Sequence, residues 1–560
     1  MKPRLLVIIS LVLILAVGIF FRFYKLGITP AGFYLDEAAM GYNAYSILKT
    51  SKDEFGKSMP LIFRSFLDFK TPLYTYLIVP LIPVLGLSIY VTRLPSAFFG
   101  VLTLPLIYLL IKEITPGKNT TKLALTATFI MAISPWHILL SRTSYETNLS
   151  LFFLILGIYT FYLGLKKPYL FIISALGLSL SFLSYHAERL IVPIVLLFLI
   201  ITNFTTLTKN IRRYSIMVVI GIIFGLTLTW STISLMRTPG FLSRTSTLNI
   251  FSYSRQFPAG YKPNYHGPLA GLVNSPALLS VNEFASLYLS YFSPRYLFSI
   301  GNADPKSSYP DLATYFVWQL PFYLIGLYFL IKDKKANPLR TIIILLLLVS
   351  PLPAALTRDP YTTIRSLPLV VPQTIVIALG LIKIFEFTKT SLKPFLAAPL
   401  CLLVGTGIIS LYSSIFIIND YFRSYAWDYG PTKVVDYINK LPKNLPITFD
   451  NSRGESYIHL LFFTKYDPAT YQKDNFEVLP DQYYTSMVRN KTKNIGRINY
   501  KQIDWGLDAE RTKQYLIGDG LVISDHELIV HRLTKIADIN NPDGSLALRI
   551  VETNPPQNEK

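Results

Sequence analysis

The chain has 560 residues, 51% hydrophobic and only 15% charged, with a mean hydropathy of +0.40 and one cysteine. Soluble domains carry about 25% charged residues, so a water-soluble globular protein is excluded. Cys401 lies inside an apolar run, which excludes an intramolecular disulfide and a cysteine metal cluster. The formal net charge is +20, but in a multi-span chain basic residues orient the loops, so nucleic acid is not an expected partner.

In chain order, the first apolar run (4–21) follows Lys2 and Arg4 and has no small-residue cleavage site, so it reads as a retained anchor. A span needs about 20 apolar residues. Further candidates are 92–112, 122–140, 147–165, 169–185, 189–204, 213–236, 312–331, 340–357, 363–384 and 395–418. The segment 72–87, "PLYTYLIVPLIPVLGL", is apolar but short and broken by Pro80 and Pro83. If it does not cross, the inner connections hold 17 Lys and Arg against five in the short outer ones, Arg93, Arg142, Arg189, Arg358 and Arg365. Basic residues concentrate in cytoplasmic loops. The expected fold class is therefore a polytopic α-helical membrane protein of about 11 crossings with its N-terminus inside.

This topology places three regions outside: the loop 22–91, the loop 237–311 and the tail 420–560. The multi-span domain is 1–419. The tail holds 18 basic and 19 acidic residues, a balance typical of a soluble domain. "PTKVVDYINKL" and "ESYIHLLFFTKY" read as helices, and "PITFDN", "GLVISDHELIVHRL" and "GSLALRIVET" as strands, which makes a small extracytoplasmic α/β domain. Aromatics are dense in "FSYSRQFPAGYKPNYHGP" and "FEVLPDQYYTSM", surfaces suited to sugar stacking or to a membrane interface.

The first outer loop contains "GITPAGFYLDEAAMGYNAYSILKT". On spacing alone Asp36 is a helix N-cap with Glu37 in the first turn. The functional alternative is a general base or orienting carboxylate. Cations accompany it at the outer face: Lys70 in "DFKTPLY", Arg93, Arg142, Arg189 and Arg365, a set suited to a lipid phosphate. A single Arg at a helix end also snorkels to headgroups. Tyr74, Glu146, His186 and Glu188 are candidate substrate contacts. The residues require no cofactor, and a divalent metal would have only His186 and Glu188 to hold it. The partners expected are a lipid donor, membrane lipid and a protein, glycan or lipid acceptor.

The ordered set "FYLDEAAMGYNA", "FKTPLYTYLIVPLIPVLG", "RLPSAFFGVLTLPLIYLLIKEI" and "SPWHILLSRTSYETNLSLFFLILG" resembles the GT-C glycosyltransferases, especially protein O-mannosyltransferases and aminoarabinose transferases. The resemblance covers roughly residues 1–240, and "RDPYTTIRSLPLVVP" resembles a later motif. It implies that Asp36 is the catalytic carboxylate, with Glu37 beside it. Lys70-Thr71-Pro72 stands where the family has Lys-Pro-Pro or His-Pro-Pro, and Glu146 where many relatives have Asp. It also implies a polyprenyl-phosphate sugar donor, transfer with inversion at the outer face of the plasma membrane, and Arg and Lys stabilising the leaving phosphate. A transporter or flippase of lipid-linked saccharides would share the spans and outer cations, but paired repeats and midplane charges are not evident. A non-catalytic scaffold would use Asp36 as a cap alone.

Overall fold

The computed structural model describes residues 3–555 apart from Leu67, Pro116, Lys118, Asn210, Arg237, 239–249, 251–265, Asn274, 334–336, 359–360 and 487–488. The aromatic-rich stretch 251–265 and much of the loop 237–311 thus lie outside the described residues. The chain forms two compact units. One is Met1–Tyr24 with Ser96–Ser414, and the other is Lys25–Pro95 with Ile415–Lys560. This division does not follow the chain boundary expected at 419/420, because the first loop packs with the tail.

The first unit is helical. Every expected span is a helix, but among the described residues only seven are long and apolar enough to cross a bilayer, or eight if Thr120–Ala132 and Pro135–Arg142, bent by 56°, form one span. The three that fall short are Leu170–Ser184, Glu188–Thr202 and Leu320–Lys332, of 15, 15 and 13 residues. Packing without a hydrophobic drive between helices favours small residues that let backbones meet. Helices Leu320–Lys332 and Val370–Phe387 do so: a Cβ at Gly326 would lie 1.9 Å from the Val376 carbonyl oxygen, and one at Gly380 1.8 Å from that of Phe322. Any side chain at either glycine forces these helices apart.

The second unit is an α/β body. Its six-stranded sheet has the order β4-β5-β3-β6-β8-β7, from β3 Ile447–Phe449, β4 Lys493–Ile495, β5 Ile498–Tyr500, β6 Tyr515–Gly518, β7 Thr534–Asn540 and β8 Leu546–Glu552. β3 runs parallel to both β5 and β6, and the outer pairs are antiparallel. A separate hairpin, β1 Phe63–Ser65 and β2 Asp68–Lys70, comes from the first loop. The expected helices appear as Tyr429–Ile438 and Tyr457–Thr464, and β3 and β8 lie where strands were expected. "GLVISDHELIVHRL" is instead a turn and the helix Asp525–Val530, because the Ser524 hydroxyl accepts from the Glu527 N–H and caps it. The segment 72–87 is broken as its prolines predict, into Pro72–Ile78, Val79–Leu81 and Ile82–Leu85.

The first loop is tied into this body by buried polar groups. Asp53 Oδ1 accepts from the Phe55 and Lys57 N–H groups at 3.1 and 2.8 Å, and Oδ2 accepts from the Tyr483 hydroxyl. Glu54 accepts from Asn43 at 3.0 Å and from the Tyr457 hydroxyl at 3.2 Å. Tyr483 and Tyr484 also accept from the Arg64 and Leu61 N–H groups. These tyrosines, expected at a sugar-stacking surface or a membrane interface, hold the loop instead.

Burial pushes the Asp53 carboxyl up to about 7 and the Glu54 carboxyl up to about 8, against lowering by Tyr483, Asn43 and Arg64. The folded state therefore keeps protons that the unfolded chain releases near pH 4. The resulting stability is full below the unfolded values and is lost as pH rises through about 7 to 8. Thermal unfolding of the purified protein should occur several degrees higher at pH 5 than at pH 8.5, and Asp53→Asn with Glu54→Gln should flatten that difference. A melting temperature that rises with pH in the parent, and is unaffected by the two amides, contradicts this.

Candidate active site

In the second unit, Asp36 and Glu37 lie in the first turn of helix Leu35–Thr50. Asp36 is not the N-cap. The cap is Tyr34, whose side chain makes no capping bond, so Glu37 Oε2 reaches back to accept from the Tyr34 N–H at 3.3 Å. This is half of a capping box. Asp428 supplies a second acceptor, with Oδ2 2.9 Å from the Leu35 N–H. The preceding loop is fixed by Asp420, which accepts from the Thr29 hydroxyl at 2.6 Å and the Ala31 N–H at 2.8 Å. At Gly32, φ is +108° and a Cβ would lie 2.3 Å from the Trp427 carbonyl oxygen, so only glycine fits.

The two adjacent carboxylates have different surroundings. Glu37 is buried and meets Arg93 side-on, with Nε to Oε1 and Nη2 to Oε2 both at 2.9 Å. The remaining Arg93 donors go to the carbonyl oxygens of Leu26, Pro30 and Gly32 at 3.0–3.3 Å. All five guanidinium N–H groups are thus occupied within the unit. Arg93, expected as a phosphate ligand, holds Glu37 and the loop. Asp36 is about a quarter exposed, and its Oδ2 accepts from Lys70 Nζ at 2.8 Å. No hydrogen bond to Oδ1 is seen among the described residues. Lys70 ends β2, and Pro72 begins the next helix. Tyr74 is fully buried and donates to the Thr92 carbonyl oxygen at 2.9 Å, which ties that helix to the start of Ile89–Ile114 and keeps the ring from solvent.

In the first unit, the remaining expected residues lie at helix ends. Arg142 closes Pro135–Arg142, is fully buried, and donates to the Phe21 and Tyr24 carbonyl oxygens at 2.9 Å, capping the C-terminal end of the first helix. Glu146 begins Glu146–Gly164 and Glu188 begins Glu188–Thr202; both are buried. The N-terminal turn of Glu146–Gly164 joins several of them. Thr147 donates to the Ile364 carbonyl oxygen at 3.0 Å, beside Arg365, and the Ser150 hydroxyl lies 3.4 Å from Glu188 Oε1. Arg365 donates to the Thr357 hydroxyl at 2.7 Å. Arg189 Nη1 lies 2.7 Å from His186 Nδ1. A guanidinium only donates, so this imidazole nitrogen accepts and is not open to a metal.

Three buried polar residues were not singled out from the sequence. Arg22 donates to the carbonyl oxygens of Gly18, Met131 and Ala132 and lies 2.7 Å from His137 Nδ1. His459, in the second unit, places Nε2 2.6 Å from the Phe33 carbonyl oxygen. An arginine at the end of an apolar run was the available signal for Arg22. His459 sits in an apolar helix without any spacing cue.

A sequence profile described as Dolichyl-phosphate-mannose-protein mannosyltransferase matches residues 69–230. A protein of Bacillus subtilis (strain 168) named "Putative mannosyltransferase YkcB" is 29% identical over 153 residues, which are 26% of this chain and 20% of that one. The matched stretch is thus about a fifth of the relative's length. The crystal structure of ArnT from Cupriavidus metallidurans bound to undecaprenyl phosphate superposes with a TM-score of 0.52 at 11% identity, covering 96% of this chain and 97% of that one. An Archaeoglobus fulgidus oligosaccharyltransferase, AglB, in complex with an inhibitory peptide and a dolichol-phosphate, has a TM-score of 0.43 at 15% identity, over 82% of this chain and 63% of that one. The chain thus shares the overall fold of ArnT, and residues 69–230 match the mannosyltransferase profile.

Proposed function

We propose that this protein transfers a sugar from a polyprenyl-phosphate donor to an acceptor hydroxyl at the outer face of the plasma membrane, with inversion. The observation that carries this reading is the contrast between the two adjacent carboxylates: Glu37 is sealed against Arg93, while Asp36 keeps Oδ1 open and is partly exposed. Outside the cytoplasm there are no nucleotide sugars, so the donor must arrive linked to a lipid. The acceptor oxygen attacks the anomeric carbon from the face opposite the phosphate. The bond from carbon to phosphate oxygen breaks, and the phosphate leaves with the electron pair. Asp36 takes the acceptor's proton.

Lys70 pairs with Asp36 at 2.8 Å, and its positive charge is proposed to help hold the donor phosphate. Arg189 and Arg365 are the phosphate ligands proposed from the membrane unit, with Arg142 supporting them from its capping position. Glu146, His186 and Glu188 are proposed to line the substrate path there. The profile described as a mannosyltransferase supports a hexosyl donor. The 17-to-five basic bias supports an inner N-terminus and an outer tail.

Cells depleted of the protein should accumulate a polyprenyl-phosphate sugar on the outer leaflet. In a Cys401-free background, a cysteine at the exposed Ser545 should react with an impermeant thiol reagent in intact cells, and one at the exposed Asp333 should not. Accumulation on the inner leaflet instead would mark a flippase. Labelling of position 333 alone would reverse the topology.

A further inference from the structure

The sheet of the second unit has a topological switch point. From β3 the chain passes to β5 on one side, then crosses back to β6 on the other. Open α/β sheets bind ligands in the crevice outside the carboxyl ends of the strands at such a point. A cavity of about 580 Å³ lies here, lined by Asp450 and Arg453 after β3 and by Asp519 and Gly520 after β6. That volume falls within the range of about 300–1,000 Å³ for small-ligand sites.

Two further lining residues are nine-tenths buried and carry an unpartnered polar atom, His459 Nδ1 and Asn541 Oδ1. Both are acceptors. The Phe33 carbonyl oxygen beside His459 Nε2 can only accept, so the ring proton sits on Nε2 and Nδ1 presents a lone pair. Burial holds this imidazole down near 4, so it is neutral. The Asn541 amide N–H donates to the Ser545 hydroxyl at 3.0 Å, which leaves Oδ1 open.

Most of the charges are already matched. Arg453 Nε pairs with Asp519 Oδ2 at 2.6 Å, Asp450 accepts from the Ser452 and Ile503 N–H groups, and Glu455 pairs with Arg489. An anionic ligand would meet an acidic excess with its one lining arginine paired. What His459 Nδ1 and Asn541 Oδ1 lack is a donor. The exposed ring of Tyr425 at its wall adds a flat apolar face of the kind that packs against a sugar's C–H groups.

We propose that this crevice is a binding site for a neutral saccharide, whose hydroxyls donate to His459 Nδ1 and Asn541 Oδ1 and whose ring packs on Tyr425. It does not rest on the sugar-transfer reading, since binding is read without a donor.

The test is saturation-transfer NMR and titration of the full chain in nanodiscs with maltose, cellobiose, diacetylchitobiose and mannobiose. At least one disaccharide should bind. His459→Phe and Asn541→Leu should each weaken binding about tenfold by removing one acceptor, and Tyr425→Ala should weaken it with the fold unchanged, because that ring is exposed. Asp36→Asn should bind like the parent even where transfer is lost. Should His459→Phe unfold, the other two variants still decide the matter. The proposal is overturned if no disaccharide binds, if all folded variants bind like the parent, or if tetralysine binds in a salt-dependent manner and the sugars do not.

Discussion

Asp36→Asn should fold, insert and bind the lipid-linked donor, yet transfer sugar at least about a hundredfold more slowly. The structure sharpens this expectation because the capping role does not fall to Asp36. Tyr34 is the cap, and Glu37 and Asp428 satisfy the first N–H groups of the helix. Loss of the Asp36 charge therefore leaves the helix start intact. What it removes is the ion pair with Lys70, with side chains 23% and 17% exposed. Pairs near the surface contribute only about 0–1 kcal/mol, so stability should scarcely change. Asparagine keeps the shape and an oxygen for Lys70 but cannot take a proton, and a positioned base is worth roughly 10²–10⁴-fold. Single-turnover transfer from a saturating polyprenyl-phosphate sugar, with donor binding measured separately, reads the two effects apart. Turnover near that of the parent would make Asp36 a partner for Lys70 and nothing more.

Arg93→Ala should lower stability by about 3–5 kcal/mol, because it leaves the buried Glu37 carboxylate unpaired. The Leu26, Pro30 and Gly32 carbonyl oxygens lose their donors as well. Arg93→Lys should recover only part of this, since an ammonium cannot span both Glu37 oxygens and three carbonyls. Replacing both partners, Arg93→Met with Glu37→Leu, should also fall short of the parent. Removing a buried pair is often neutral elsewhere, but here the loop carbonyls remain unsatisfied. Thermal shift by size-exclusion in detergent measures each step. An Arg93→Ala protein that melts like the parent but no longer binds the donor would return Arg93 to the phosphate site.

Much of the membrane architecture was readable from the chain. Apolar runs of about 20 residues have few alternatives to helices in lipid, and each expected span is helical. The acidic turn of "FYLDEAAMGYNA" and the lysine of "DFKTPLY" were also legible, and they meet at 2.8 Å. Their meeting depended on β1 and β2, three-residue strands too short to show a period.

Other assignments needed the folded molecule. Side-chain type and depth marked Arg93 and Arg142 as cations near the outer face, but depth carries no direction. Arg93 turns to Glu37, and Arg142 to the end of the first helix. The local pattern of "GLVISDHELIVHRL" favoured a strand, and one serine cap decided for a helix.

By itself, the sequence determined a multi-span helical protein with a mixed α/β tail and an acidic pair in its first loop, because composition and apolar run length are local quantities. Only the tertiary structure decided which acid is sealed and which is open. It also decided that the loop bearing them packs with a tail some 400 residues away. Those outcomes depend on which buried N–H, carbonyl and carboxylate groups satisfy one another across the chain, and a linear pattern does not encode such pairings.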